Sequence, residues 1–406
     1  MTSKNRQFLP YARQMIDEAD IAAVSDVLRS DFLTTGPMVE KFEDVLAKTV
    51  GSRHAVVCSN GTAALHLAAL ALGIGPGDRV IVPSITFLAT ANAVRYVGGE
   101  VVFADINPET GQMEPEQLAA AIATVDGMEA RAVFPVCLAG ATADPAGLET
   151  AAAGRQIVYD ASHALGTRYR GRNQRGTVGD CRHSALVTFS FHPVKTIALG
   201  EGGAVTTNSD TLAEKLRRYR NHGMTRNSKD FVYAKLASDT GENVNPWYYE
   251  MLELGYNYRL TDIQCALGLS QIAKLGAFAA RRRSLAARYF DRLAPLSPQV
   301  RPLGRTSGCD PVLHLFVVLI DFPALGTDRA GAMQALKVRG VGTQVHYIPV
   351  HTQPYYVNRY GSLDLPGAAE YYARTLSLPL FVGMTDDDVD RVVETLADTL
   401  GIANKL

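Results

Sequence analysis

Thr188 to Thr207 read TFSFHPVKTIALGEGGAVTT, and place one lysine between an aromatic, hydroxyl-bearing run and a glycine-rich turn. Lysine is rarely buried unless its charge is paired or its amine is used in chemistry. Desolvation or a neighbouring cation lowers the pKa of such an amine, which then attacks carbonyls to form imines. Lys195 is therefore a candidate catalytic residue, the alternative being an ordinary solvated lysine. Its surroundings favour chemistry. Ser190 can donate to a phosphate, and Gly200, Gly202 and Gly203 permit tight turns beside a ligand.

Upstream of this stretch, short apolar runs alternate with helical patterns. HAVVCS, DRVIVPS, EVVFADI, ARAVFPVCLAG and RQIVYDASH read as strands. EDVLAKTVGS, GTAALHLAALALG, FLATANAVRYVGG, EPEQLAAAIA and DPAGLETAAAG read as helices between them. The alternation predicts an α/β fold with a mainly parallel central sheet covered on both faces, and a ligand at the carboxyl ends of its strands. Downstream, DTLAEKLRRYRNHG reads as a basic amphipathic helix, followed by a polar loop-like stretch. ALGLSQIAKLGAFAARRRSLAARYFDRL then reads as one long helix leading into further strands and helices. The expected division is a large domain over 1–265 and a smaller C-terminal α/β domain over 266–406. Arg281, Arg282 and Arg283 read as a solvated face of the long helix.

The chain has 406 residues, 47% of them hydrophobic, and a formal net charge of −1. That balance offers no electrostatic case for nucleic acid or for an anionic membrane surface. No apolar run is long enough to span a bilayer, and the polar start lacks a signal-peptide segment, so a cytoplasmic protein is expected. Five scattered cysteines include no Cys-x-x-Cys pair. Buried reduced thiols are expected, and no metal site.

Three further features carry chemistry. VYDASHALGT ends a strand in Asp160, with His163 three positions on. An acid there either caps a helix or holds a pyridine nitrogen protonated, so that the ring acts as an electron sink. In CSNGTAALHL, a strand, a glycine turn and a helix start can cradle a phosphate on Thr62 and Ala63, or form an ordinary capped turn. The stretch has neither the lysine of a P-loop nor the spacing of a dinucleotide fold. Phe87, in PSITFLATANAV, can stack on a planar heterocycle or fill the core. Together these features match pyridoxal 5′-phosphate, which needs a phosphate cradle, a stacking ring, a pyridinium carboxylate and an imine-forming lysine.

The motifs SNGTAALHLAAL, PSITFLATANAV, DASHALGT, FSFHPVKTIALGEGGAVTT, RNHGMTR, LGYNYRLTDIQCALGLSQ and VGTQVHYIPVHTQPYY resemble the DegT/DnrJ/StrS family of nucleotide-sugar aminotransferases. The similarity runs over nearly the whole chain. It implies PLP fold type I, like aspartate aminotransferase, and a homodimer with active sites at the subunit interface. By motif position, Lys195 would be the Schiff-base lysine and Asp160 the partner of the pyridine nitrogen. Phe87 would stack on the ring, His163 would lie near its phenolic oxygen, and Thr62, Ala63 and Ser190 would hold the phosphate. Asn257 would reach the cofactor phosphate of the neighbouring subunit. Thr35, Gly36, His346 and Tyr347 match segments that line the sugar-nucleotide site.

FSFHPVK combined with NPWYYEMLELGYNYRLTDIQ is most similar to the pseudaminic-acid branch. That likeness implies L-glutamate as donor and a UDP-linked 4-keto-6-deoxy-N-acetylhexosamine as acceptor. Another 4-keto sugar nucleotide (a GDP- or dTDP-linked 4-keto-6-deoxyhexose, or UDP-4-keto-arabinose), or a vestigial cofactor-binding regulatory role, are the alternatives. Some relatives carry histidine in place of the lysine and are dehydratases, which Lys195 argues against. Tyr159 and Ser162 depart from the family's usual acid and alanine, and neither is expected to touch a catalytic role.

Overall fold

The computed structural model describes residues 8–125, 130–171, 175–238 and 243–405. After α1 (Glu18–Leu28) and α2 (Pro37–Val50), strands and helices alternate as the sequence pattern predicts. They are β1 (His54–Cys58), α3 (Gly61–Ala71), β2 (Arg79–Pro83), α4 (Leu88–Tyr96), β3 (Glu100–Ala104), α5 (Pro115–Ala123), β4 (Ala130–Val133), α6 (Pro145–Ala152) and β5 (Gln156–Asp160). The hairpin of β6 (Arg168–Arg170) and β7 (Arg175–Thr177) precedes β8 (Leu186–Ser190), β9 (Gly203–Thr207) and α7 (Asp210–Arg220).

Seven of these strands form one sheet in the order β1-β9-β8-β5-β4-β2-β3. All its pairings are parallel except those of β9, which runs antiparallel to both β1 and β8. The strands are short aliphatic runs, buried nearly end to end. Their alternation sends Val56, Val80 and Val82 into a core on one face, with Leu65 and Ala68 of α3. Val57 and Ile81 enter a core on the other face, with Phe42 of α2. Period-two side chains thus serve two cores at once.

The expected strand ARAVFPVCLAG is shorter than its apolar run: β4 ends at Val133. Pro135 has no N–H to give the ladder. The chain continues beside β5 through the Pro135 carbonyl, which accepts from the Asp160 N–H at 2.9 Å, and the Cys137 N–H, which donates to the Asp160 carbonyl at 2.9 Å.

The long helix expected from residue 266 is two helices, α8 (Asp262–Ala273) and α9 (Leu275–Leu293), bent by 57°. α8 starts earlier than expected because Thr261 and Gln264 form a reciprocal capping box. At the bend Lys274 reaches back to Asp20 of α1 at 2.9 Å. α8 adds Cys265 and Ile272 to the sheet core. The short antiparallel pair β10 (Met224–Thr225) and β11 (Glu250–Met251) follows α7 in the chain. α9 adds Leu285, Tyr289 and Leu293 to a separate core built on β12 (Val300–Pro302), β14 (Phe316–Ile320) and β15 (Thr375–Leu378), with β13 being Cys309–Asp310.

Arg282 overturns the expected solvated basic face. It is 2% exposed and lies on the same stripe as Phe278, Leu285 and Tyr289. Its guanidinium donates to the carbonyls of Leu313, His314 and Leu380 at 3.1–3.3 Å. Burial pulls its pKa down to about 10. Arg281 and Arg283 do stand at the surface side, paired with Asp386 and Asp310. Arg282→Ala should lower unfolding free energy by about 3 kcal/mol or more, because three buried acceptors lose their donor. Urea denaturation checks this, and a change below about 1 kcal/mol contradicts the role given to the guanidinium.

Candidate active site

The carboxyl ends of β2, β5 and β8 meet the start of β9 on one edge of the sheet, and the loops above that edge line a cavity of about 870 Å³. Asn60 to Ala63, Phe87, Asp160, His163, Ser190 and Lys195 all line it, with His346 and Tyr347 on the opposite wall. Nine of the residues singled out in the sequence thus line one cavity: Thr62, Ala63, Phe87, Asp160, His163, Ser190, Lys195, His346 and Tyr347.

Asp160 is 5% exposed. One of its oxygens accepts from the Thr90 hydroxyl at 2.7 Å; the other accepts from the Ser162 N–H at 3.1 Å and the Ser162 hydroxyl at 2.6 Å. Ser162 therefore does bear on the candidate chemistry, contrary to expectation. The chain turns just after β5, and that turn brings the residue two positions on back over the carboxylate. Thr86 extends the network by bonding Thr90 at 2.7 Å.

Lys195 sits in the β8–β9 connection and is only partly open to the cavity. Desolvation lowers its pKa to about 8, against the attraction of Asp160, which raises it. His163, 6% exposed, is pushed well below the usual histidine range by burial, then by Lys195 and His346. Burial and Lys195 likewise bring His346 down to about 3. The site thus holds the buried carboxylate of Asp160, one easily neutralised amine and the neutral imidazoles of His163 and His346. His163 Nε2 bonds the Tyr347 hydroxyl at 3.1 Å, and His346 Nδ1 bonds the Ser377 hydroxyl at 2.8 Å. Phe87 is about half exposed, with its ring 5.9 Å from that of Tyr347.

The phosphate-sized corner lies at the start of α3. Asn60 caps that helix, its side-chain oxygen accepting from the Ala63 N–H at 2.8 Å. This narrows the expected cradle: the Ala63 N–H is already used, which leaves those of Gly61 and Thr62 at the positive end of the helix dipole. Two glycines keep the corner open. A Cβ on Gly203 would lie 2.3 Å from the Asn60 carbonyl oxygen, and one on Gly61 would lie 2.8 Å from the Ser190 Cβ. A cradle that only glycine permits, beside a serine and a buried aspartate–lysine pair, fits pyridoxal phosphate.

Thr35, Gly36 and Asn257 do not line the cavity. Thr35 adopts a left-handed backbone (φ +56°), and the Gly36 N–H donates to Asp262 at 2.7 Å. Asn257 is exposed, on a segment bridged to Asn221. Sequence reasoning missed Tyr11, His314 and Gln344, which line the cavity from distant parts of the chain. No local motif marks them.

Residues 14–397 match the model of the DegT/DnrJ/EryC1/StrS aminotransferase family. The chain belongs to that family. With membership come the fold type I architecture, the aminotransferase class and pyridoxal phosphate as cofactor. The chain is 38% identical over 403 residues to the spore coat polysaccharide biosynthesis protein SpsC of Bacillus subtilis (strain 168), covering 98% of each. It superposes on PseC of Helicobacter pylori, an aminotransferase in pseudaminic acid biosynthesis, with a TM-score of 0.85 at 27% identity, over 97% of this chain and 100% of that one. It also superposes on the PLP form of Spr1654 from Streptococcus pneumoniae, with a TM-score of 0.83 at 27% identity, over 98% and 100% of the two chains.

Only the neutral Lys195 amine is a nucleophile, so its covalent capture of added cofactor should speed up about tenfold per pH unit below about 8 and level off above it. Stopped-flow absorbance of the cofactor-free protein measures this; a rate independent of pH contradicts the lowered pKa. Ser162→Ala removes one charge-assisted hydrogen bond from Asp160 and should slow turnover by about tenfold with the melting temperature nearly unchanged. Steady-state kinetics beside a thermal melt checks both.

Proposed function

We propose that the chain moves an amino group from L-glutamate to the C4 ketone of a UDP-linked 4-keto-6-deoxy-N-acetylhexosamine. The product is a 4-amino-4,6-dideoxy sugar nucleotide for surface polysaccharide of the pseudaminic-acid kind. The carrying observation is the lowered pKa of Lys195 beside a buried Asp160 in a cavity large enough for cofactor and sugar together. The substrate class is supported by the likeness to PseC, and the polysaccharide setting by the likeness to SpsC.

Bound pyridoxal phosphate supplies an electron sink that stabilises negative charge on the carbon next to the transferred nitrogen. This chain's own residues do the rest. Gly61, Thr62 and Ser190 would hold the phosphate, and Phe87 would cover the ring. Asp160, fixed by Thr90 and Ser162, would keep a proton on the ring nitrogen. His163, kept neutral by burial, would stand beside the phenolic oxygen. Lys195, whose pKa is lowered to about 8, would take the proton from the donor's α-carbon in its neutral form and deliver one to the sugar's C4. The face it occupies would set the new stereocentre.

Thr35, Gly36 and Asn257, which lie outside the cavity of their own chain, would serve the site of a second copy in a homodimer. That assembly also gives a use to the exposed Val232, Tyr233, Leu236, Trp247, Met251 and Leu254. The reading places the enzyme in the cytoplasm, where its five free thiols stay reduced. Residues 1–265 would form the cofactor domain and 266–406 the small domain.

Purified protein with cofactor and L-glutamate should form 2-oxoglutarate, and then aminate the UDP-linked 4-keto sugar, read by mass spectrometry of the nucleotide product. Amination of GDP- or dTDP-linked 4-keto sugars alone would refute the UDP substrate and leave the aminotransferase standing. Lys195→Ala should fold normally and lose more than about a thousandfold in turnover. Near-normal turnover in that variant removes the role of the lysine.

A further inference from the structure

His314 stands just before β14, far from the cofactor motifs in sequence, yet it lines the cavity and is 2% exposed. Its ring centroid lies 4.5 Å from that of His163, at 42°. The backbone of His314 is held from two sides. Its N–H donates to the Ala139 carbonyl at 2.9 Å, and its carbonyl accepts from Arg282 at 3.3 Å. The buried Nδ1 atoms of both His314 and His163 lack hydrogen-bond partners.

We propose that His314 is a positioning residue that locks the His163 imidazole in one ring orientation. This rests on the reading of His163 as the group beside the phenolic oxygen. On its other side, His163 is tied through Nε2 to Tyr347 at 3.1 Å, so the ring is clamped between a hydroxyl and a second imidazole. When Tyr347 donates to Nε2, the neutral ring carries its proton on Nδ1, so one ring orientation goes with one tautomer. Burial first, and then its neighbours His163, Lys195, Arg282 and His346, hold the His314 pKa well below the usual histidine range. A neutral ring can pack on His163 without adding a charge. Arg282 fixes the backbone of His314 and so acts one step further back.

The test compares His314→Ala with the ring-preserving His314→Phe, each loaded with pyridoxal phosphate. The pH midpoint of the cofactor's visible band is read together with kcat and KM. His314→Ala should move that midpoint by about half a pH unit or more and lower kcat about tenfold, with KM for the sugar within about twofold. His314→Phe should restore most of both. A His314→Ala enzyme with a lowered melting temperature but wild-type midpoint and kcat overturns the proposal, leaving a space-filling ring. A His314→Phe enzyme as impaired as His314→Ala also overturns it, because packing would then not be the cause.

Nitrogen-15 NMR of the cofactor-free protein gives a readout independent of the functional reading. His163 should show a single tautomer in the wild type and a mixture in His314→Ala; identical signals overturn the clamp. Wild-type protein that takes up no cofactor would overturn the functional reading while these imidazole signals still decide the clamp.

Discussion

A buried carboxylate facing a desolvated lysine is the constraint that organises this molecule. Asp160 tolerates its position at the end of a central strand because three donors, from Thr90 and Ser162, converge on it. Lys195 loses hydration and recovers part of the loss from Asp160, which leaves an amine that gains or loses its proton near neutral pH. Three further bases share the cavity wall, and burial keeps all three neutral. Charging any of them would push the lysine lower still. The balance therefore depends on the whole wall, not on the pair alone.

The sheet makes that pairing possible through its one reversed strand. A parallel β9 would need a crossover of about a dozen residues, usually a helix. An antiparallel β9 instead lets the chain return directly, so the β8–β9 connection stays over the sheet edge and carries Lys195 there. The connection is braced by hydrogen bonds from the Phe191 N–H to the Gly202 carbonyl at 2.8 Å and from the Leu199 N–H to the Phe191 carbonyl at 2.9 Å. The reversal also brings the start of β9 against the Asn60 carbonyl, an approach that only Gly203 allows. One strand direction thus fixes both the lysine and the phosphate corner.

Much of this was legible in the sequence, and the misses share a cause. Aliphatic runs five residues long, separated by helical patterns, announced the parallel sheet. Asp160 and Lys195 stood at the ends of such runs, where ligands gather. Contacts that depend on backbone path were not legible. Ser162 reaches Asp160 only because the chain turns there, and the Ala63 N–H is lost to a cap that the motif SNGTAA does not declare. Arg282 looked solvated because it sits in a row of three arginines, whereas its helical stripe put it in the core. The helix break at Lys274 follows from serving two cores in turn, and no proline marks it. His314 was hidden for the same reason as Gln344: a strand far along the chain delivers it.

The site divides its labour along the chain. The floor, from Asn60 to Lys195, holds the buried carboxylate, the desolvated amine and the capped start of α3. The wall at 344–348 comes from the C-terminal segment and is pinned at both ends. The backbone of Gln344 pairs with that of Ser377, and the Val350 N–H donates to the Ser84 carbonyl at 2.9 Å beside a Ser84–His351 hydrogen bond of 2.5 Å. Ser84 directly follows β2, so the wall is anchored to the sheet that carries the floor. His314 is the exception. It belongs to the C-terminal part of the chain yet packs on a floor residue, its ring 4.5 Å from that of His163, while its carbonyl is held by Arg282 of the C-terminal core.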